Sequence, residues 1–225
     1  MEKHSAYQQK LIQAQVQARS LLDWIETQLP EWVGFRESQI VDLVENECRR
    51  RFDCDKYWHR SIVRSGANTV LGFGEQGPDL GFDGSLIFFD LGPVFQSDEA
   101  DFGKTFTLLG PDSIPSRLSR DSQSIHQSVK AQWNASMTGA DLYHRVVSEA
   151  QERGWIVRVP TLGHIVGEFP HQSLGKGTGF KIFPDNHEKI KRLDSQGRPL
   201  EWILEVHIQD PRSPQAAFFE DFLTL

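Results

Sequence analysis

The sequence predicts an α+β fold made of two similar halves in one domain spanning residues 1–225. Three observations carry that reading. The order helix, helix, strands occurs twice along the chain. Both β-rich blocks are punctuated by glycine and proline, as antiparallel strands joined by turns require. No low-complexity linker divides the chain, so the halves, about 1–110 and 111–225, belong to one unit. No internal repeat aligns at the level of residues.

The elements follow in order. Residues 5–28 read as a helix, because Leu11, Ile12, Ala14, Ala18, Leu21, Leu22 and Ile25 recur at helical spacing and Pro30 stops the run. Residues 37–52 read as a second helix with Ile40, Leu43, Val44 and Cys48 on one face. A β-rich block spans about Ser61 to Leu109, broken by Gly66, Gly72, Gly74, Gly77-Pro78 and Gly92-Pro93. After Gly110-Pro111 the pattern is helical to about Gly154. Thr138 is the expected N-cap there, with Asp141 three residues on, and Leu142, Val146, Val147 and Ala150 form the apolar face. The second β-rich block contains Ile156–Val159, Trp202–Ile208 and Ala216–Leu225, interrupted by a polar insertion from Gly175 to Pro199.

Composition narrows the function. Hydrophobic residues make up 38%, charged residues 24%, and the net charge is −7, which disfavours a nucleic-acid or anionic-membrane binder. Cys48 and Cys54 lack a zinc-finger spacing and are expected as reduced thiols. The first residues show no apolar signal core and no run is long enough for a membrane span, so a cytoplasmic protein is expected. His4, His126 and His144 fall on helices or tails and are expected to be exposed.

The chemistry concentrates in acidic and histidine residues inside apolar runs. Asp90 ends the run Leu86-Ile87-Phe88-Phe89, and Asp101 lies eleven residues later, before Lys104–Leu109. His164 sits in TLGHIVG, Glu205 in WILEVHI and Glu220 in AAFFEDFL. Each has an ordinary alternative: a turn carboxylate, a hydrogen-bonded core histidine, or a glutamate facing water from a half-buried strand. Together, four carboxylates and an imidazole suit manganese, iron, cobalt or zinc, and their charge is better balanced by two ions than by one.

These five residues resemble the pita-bread metallohydrolases, a family that includes methionine aminopeptidase, aminopeptidase P, prolidase and creatinase. The matching segments are FFDLGPV with Asp90, DFGKTF with Asp101, GHIVG with His164, ILEVH with Glu205 and FFEDF with Glu220, all in the family's order. The resemblance implies a curved antiparallel sheet with helices on its outer face, and a catalytic domain without the extra N-terminal domain of prolidase. It also implies roles: Asp101 and Glu220 bridging two divalent ions, Asp90 on one ion, His164 and Glu205 on the other, with Glu205 also as general base. His171, seven residues after His164, matches the family's second active-site histidine. His59, His207 and Trp58 are weaker substrate-binding candidates, and Asp221 is expected near the metals.

One departure bears on the reaction. The histidine that family peptidases carry some eighteen residues before the first aspartate is replaced by Gly72, and His59 is the nearest substitute. Three functions are therefore expected in order. The first is an aminopeptidase or dipeptidase acting on a small peptide or peptide-like amide. The second is a non-peptidase enzyme of creatinase-like C–N or C–S cleavage. The third is an inactive binding homologue. The partner is a small peptide or small molecule, with no nucleic acid or membrane, and a homodimer is an open expectation.

Overall fold

The structure, a computed structural model, describes residues 5–54, 56–171 and 177–225. His4, and Gly175 and Lys176 of the polar insertion, lie outside the described residues. Helix α1 (Ala6–Gln28) begins with a capping box, in which the Ser5 hydroxyl accepts the Gln8 N–H and the Gln8 side chain accepts the Ser5 N–H. Helix α2 (Glu37–Phe52) ends on Asp53 in the left-handed region. Strands β1 (Lys56–Tyr57), β2 (Ile62–Ser65), β3 (Ile87–Leu91), β4 (Pro93–Phe95), β5 (Asp98–Glu99) and β6 (Phe102–Phe106) complete the first half.

The second half opens with α3 (Ile114–Gln132) and α4 (Gly139–Glu152), the latter capped by Thr138 and Asp141 as expected. Gly154 follows α4 with φ of +84°, a helix stop that a Cβ would strain. Strands β7 (Ile156–Val157), β8 (Ile165–Val166), β9 (Glu201–Gln209) and β10 (Ala216–Phe222) finish the chain.

The main sheet runs β2-β3-β6-β10-β9-β7, antiparallel throughout, with β8 added to β9. The halves meet where β6 pairs β10, with Phe219 opposite Lys104 and Glu220 opposite Gly103. Period-two alternation gives the sheet two different faces. Ile87, Phe89 and Leu91 point into a core shared with α1 and α2, and Leu204, Val206 and Ile208 into a core shared with α3 and α4. Phe88, Asp90, Glu205, His207, Phe218 and Glu220 point the other way, into a cavity. Burial of a side chain such as Phe89, 0% exposed, stabilises by about 1.5–3 kcal/mol, so the helix-backed face anchors the face that carries polar groups.

Several expectations need correction. Leu43 is 37% exposed, because α2 buries a narrower stripe than the sequence implies. His126 is buried rather than exposed: its ring packs on Phe219 and its Nε2 lies 3.1 Å from the Asp221 carbonyl. The first β-rich block is not continuous strand, since Gly66–Val70 forms a 3-10 turn and an irregular stretch precedes β3.

Candidate metal centre

Strand register assembles the acidic groups. Asp90 on β3 pairs with Gly103 on β6, Gly103 with Glu220 on β10, and Glu220 with Glu205 on β9. The row therefore carries three carboxylates and one glycine. A Cβ on Gly103 would stand 2.2 Å from the Phe218 ring, so this place in the row has to be bare. Asp101 precedes β6, and its backbone is clamped by Gln15 of α1: the Gln15 amide donates to the Asp101 carbonyl at 2.9 Å and its oxygen accepts the Asp101 N–H at 3.3 Å. His164 is carried beside β9 by Gly163, whose φ is +135° and where a Cβ would stand 2.1 Å from the Ile203 carbonyl oxygen, so a side chain is excluded.

Among the described residues, two sets of donor atoms lie within 4.8 Å of one another: His59, Asp90 and Asp101, and Asp101, His164 and Glu220. Asp101 belongs to both. His59 Nε2 is 3.4 Å from Asp90 Oδ1 and 3.6 Å from Asp101 Oδ1, and His164 Nε2 is 3.1 Å from Asp101 Oδ2. Glu205 stands farther off, its Oε1 3.8 Å from His164 Nε2. Both imidazoles are oriented the same way. His59 Nδ1 donates to the Arg60 carbonyl and His164 Nδ1 to the Ile165 carbonyl, each at 2.7 Å. Both rings thus turn Nε2 toward carboxylate oxygens, an arrangement that needs a positive charge between them, either a proton on Nε2 or a cation in its place.

The electrostatics express the same demand. Burial pushes Asp90 up to about 6 and Glu205 up to about 7, and it drives Glu220 well above the usual carboxylate range, with the neighbouring carboxylates adding to each. Burial opposes protonation of His59 and His164, but the Asp101 carboxylate and, respectively, Asp90 and Glu205 outweigh it and raise both to about 9. Asp101 itself is held below its usual range: burial opposes ionisation, and the two imidazoles overcome it. Both Asp101 oxygens and Glu220 Oε2 are buried with no hydrogen-bond donor among the described residues. Orphaned carboxylate oxygens beside imidazole nitrogens fit divalent cations.

Around this cluster lies a cavity of about 930 Å³, at the upper end of small-ligand sites. His171 lines it, its ring stacked on His164 with centroids 5.2 Å apart. Trp58 packs edge-on against three imidazoles, those of His59, His164 and His171, at 4.3, 5.2 and 4.8 Å. His207 lies between Phe88 and Phe218 with its Nε2 on the Thr69 carbonyl at 2.8 Å, and burial lowers its pKa. Asp221 departs from expectation. Alternation along β10 turns it to the helix side, where Arg19 and Gln15 bind its carboxylate at 2.6 and 2.8 Å. Gly72 lines the cavity mouth, while the histidine beside Asp90 is His59, from the segment just before β2.

Two groups escape sequence reading. Gln15 had a signal, a polar residue in the apolar stripe of α1 between Leu11 and Ala18. Glu99 had none: it is 0% exposed and binds His171 from 72 residues away.

Comparison with known proteins places this arrangement. The model of metallopeptidase family M24 matches residues 9–201. The X-Pro aminopeptidase of Thermotoga maritima shares the fold with a TM-score of 0.74 at 19% identity, over 100% of this chain and 62% of that one. Prolidase from Pyrococcus furiosus gives 0.71 at 20% identity, over 95% and 60%. Methionine aminopeptidase from Thermotoga maritima gives 0.69 at 14% identity, over 100% and 99%. No curated protein sequence matches. The fold and the cluster define a metallopeptidase-type protein with the pita-bread architecture. The chain belongs to metallopeptidase family M24. It spans about three fifths of the prolidase and of the X-Pro aminopeptidase, and nearly all of the methionine aminopeptidase.

Proposed function

We propose that this chain is a metal-dependent hydrolase of short peptides or peptide-like amides, an aminopeptidase or dipeptidase. The observation that carries the reading is the pair of donor sets sharing Asp101. Asp90, Asp101, His164, Glu205 and Glu220 would hold two divalent ions from the set manganese, iron, cobalt or zinc. Bound there, such ions supply Lewis acidity and a water that loses its proton near neutral pH.

The side chains divide the remaining work. Glu205, a carboxylate lining the cavity beside His164, takes a proton from the attacking water. His59 directs Nε2 into the same space from the cavity side and contacts the scissile amide. His171 faces the substrate from beside His164. Phe88, Phe218 and His207 form an aromatic wall for an apolar side chain, and Trp58 holds the three imidazoles in place. We read the whole chain as one domain, because β6–β10 pairing makes one sheet of the two halves. The reading includes a cytoplasmic location and a homodimer, which cell fractionation and sedimentation would test. No helix among the described residues is long and apolar enough to cross a membrane.

The non-peptidase alternative drew its support from Gly72, and a histidine at the cluster, His59, weakens it. The decisive experiment loads purified protein with each metal and offers X-Pro, Met-X and other dipeptides beside creatine-like and thioether substrates. Turnover within the peptide set is expected. Silence there with metal bound, together with turnover of a non-peptide substrate, overturns the peptidase reading.

A further inference from the structure

We propose that Glu99 is a positioning residue that fixes the tautomer of His171 and so makes its Nε2 a hydrogen-bond acceptor facing the substrate. The inference rests on reading the cavity as the substrate site. Glu99 is wholly buried on β5, and it grips His171 twice. The His171 backbone N–H donates to Glu99 Oε1 at 3.0 Å, and His171 Nδ1 lies 2.6 Å from Oε2. The backbone contact fixes which residue the carboxylate serves. The second contact is as short as charge-assisted bonds are. A carboxylate oxygen only accepts, so the proton between them belongs to Nδ1.

The consequence concerns the far side of the ring. In a neutral imidazole with its proton on Nδ1, Nε2 carries a lone pair. His171 is stacked on His164 and held edge-on by Trp58, so its plane has little freedom, and with Nδ1 turned to Glu99 the opposite edge of the ring is the one available to the cavity that His171 lines. A lone pair there recognises a donor, the N–H of an amide or amine, rather than a developing oxyanion. Glu99 thereby selects substrates that offer an N–H at that point. His59 and His164 have their Nδ1 protons fixed by main-chain carbonyls. The third imidazole is served instead by a carboxylate 72 residues away in sequence.

The test reads the tautomer directly. Long-range ¹⁵N–¹H correlation spectra of zinc-loaded protein at pH 8, with His171 assigned by His171→Gln, are expected to show Nδ1 protonated and Nε2 bare. In Glu99→Gln the amide oxygen keeps the backbone N–H while its NH₂ faces Nδ1, so the ring is expected to switch to the Nε2–H form. Zinc content should be unchanged. On whichever peptide is turned over, kcat/KM should fall about 10- to 100-fold, and Glu99→Gln should add nothing to His171→Gln. A wild-type ring protonated on Nε2, alone or together with Nδ1, overturns the proposal, as does an unchanged tautomer in folded, zinc-loaded Glu99→Gln. The spectra need no substrate, so failure of the peptidase reading and failure of this one are separate results.

Discussion

At the scale of single residues, the site is an accumulation of buried negative charge that the protein offsets chiefly with two imidazoles, His59 and His164. Asp101 is the clearest case: both donor sets share it, and its two buried oxygens face the His59 and His164 imidazoles and no other donor among the described residues. Asp101→Asn keeps the shape and removes the charge. We expect it to lower bound metal from about two ions per chain to less than one, read by elemental analysis, with the far-ultraviolet circular dichroism unchanged. Retention of both ions would remove Asp101 from the centre. The legible residues share a physical signature, a charged group inside an apolar run, where burial without a partner would be expensive. Asp90, His164, Glu205 and Glu220 all carry it. Glu99 and His59 do not, because their surroundings are polar in sequence and become a site only through contacts made across the fold.

At the scale of elements, the chain's periodicities gave the helices and the long strands with near-correct ends, since α1, α2, β9 and β10 each have a continuous two-faced pattern. The short strands β1, β5 and β8 were illegible, since two residues carry no period and pairing partners alone create them, while the Ile156–Val159 run shrinks to the two residues of β7. Asp221 was misassigned for the same kind of reason, since alternation sends neighbours on a strand to opposite faces. The tie between α1 and the sheet is where an element acts on the site. Gln15, 1% exposed, joins the Asp101 backbone to the Asp221 carboxylate. Gln15→Leu removes the clamp on the Asp101 backbone, while Arg19 keeps the Asp221 carboxylate, and is expected to destabilise by about 1–3 kcal/mol in urea titration. Metal affinity should weaken about 10- to 100-fold, as for other residues that orient ligands. Unchanged affinity would show that β6 holds Asp101 without help from the helix.

At the scale of the whole molecule, the buried charges couple stability to pH. His59 and His164 have folded pKa values of about 9 against an ordinary 6.5. A raised histidine contributes stability that is complete below 6.5 and lost as pH rises through 9. Glu205, raised to about 7, acts in the same sense, because the folded state resists its ionisation. His126, lowered to about 4 by burial, acts oppositely, but its contribution is already complete above 6.5. The Tm of chelator-treated protein is therefore expected to fall between pH 6.5 and 9, while the metal-loaded form, with cations in place of those protons, should be higher and flatter. A metal-free Tm that rises over this range would contradict the arrangement of charges derived above.

The pairing of β6 with β10 has a meaning beyond holding a sheet together. Before that seam stand one imidazole and two carboxylates, His59, Asp90 and Asp101; after it stand another imidazole and two more carboxylates, His164, Glu205 and Glu220. Neither trio alone has the charge or the number of donors to hold a pair of cations. The proposed metal centre is thus owned jointly: it comes into being when the two ends of the polypeptide find each other, and a fragment cut at the middle would inherit half a vessel.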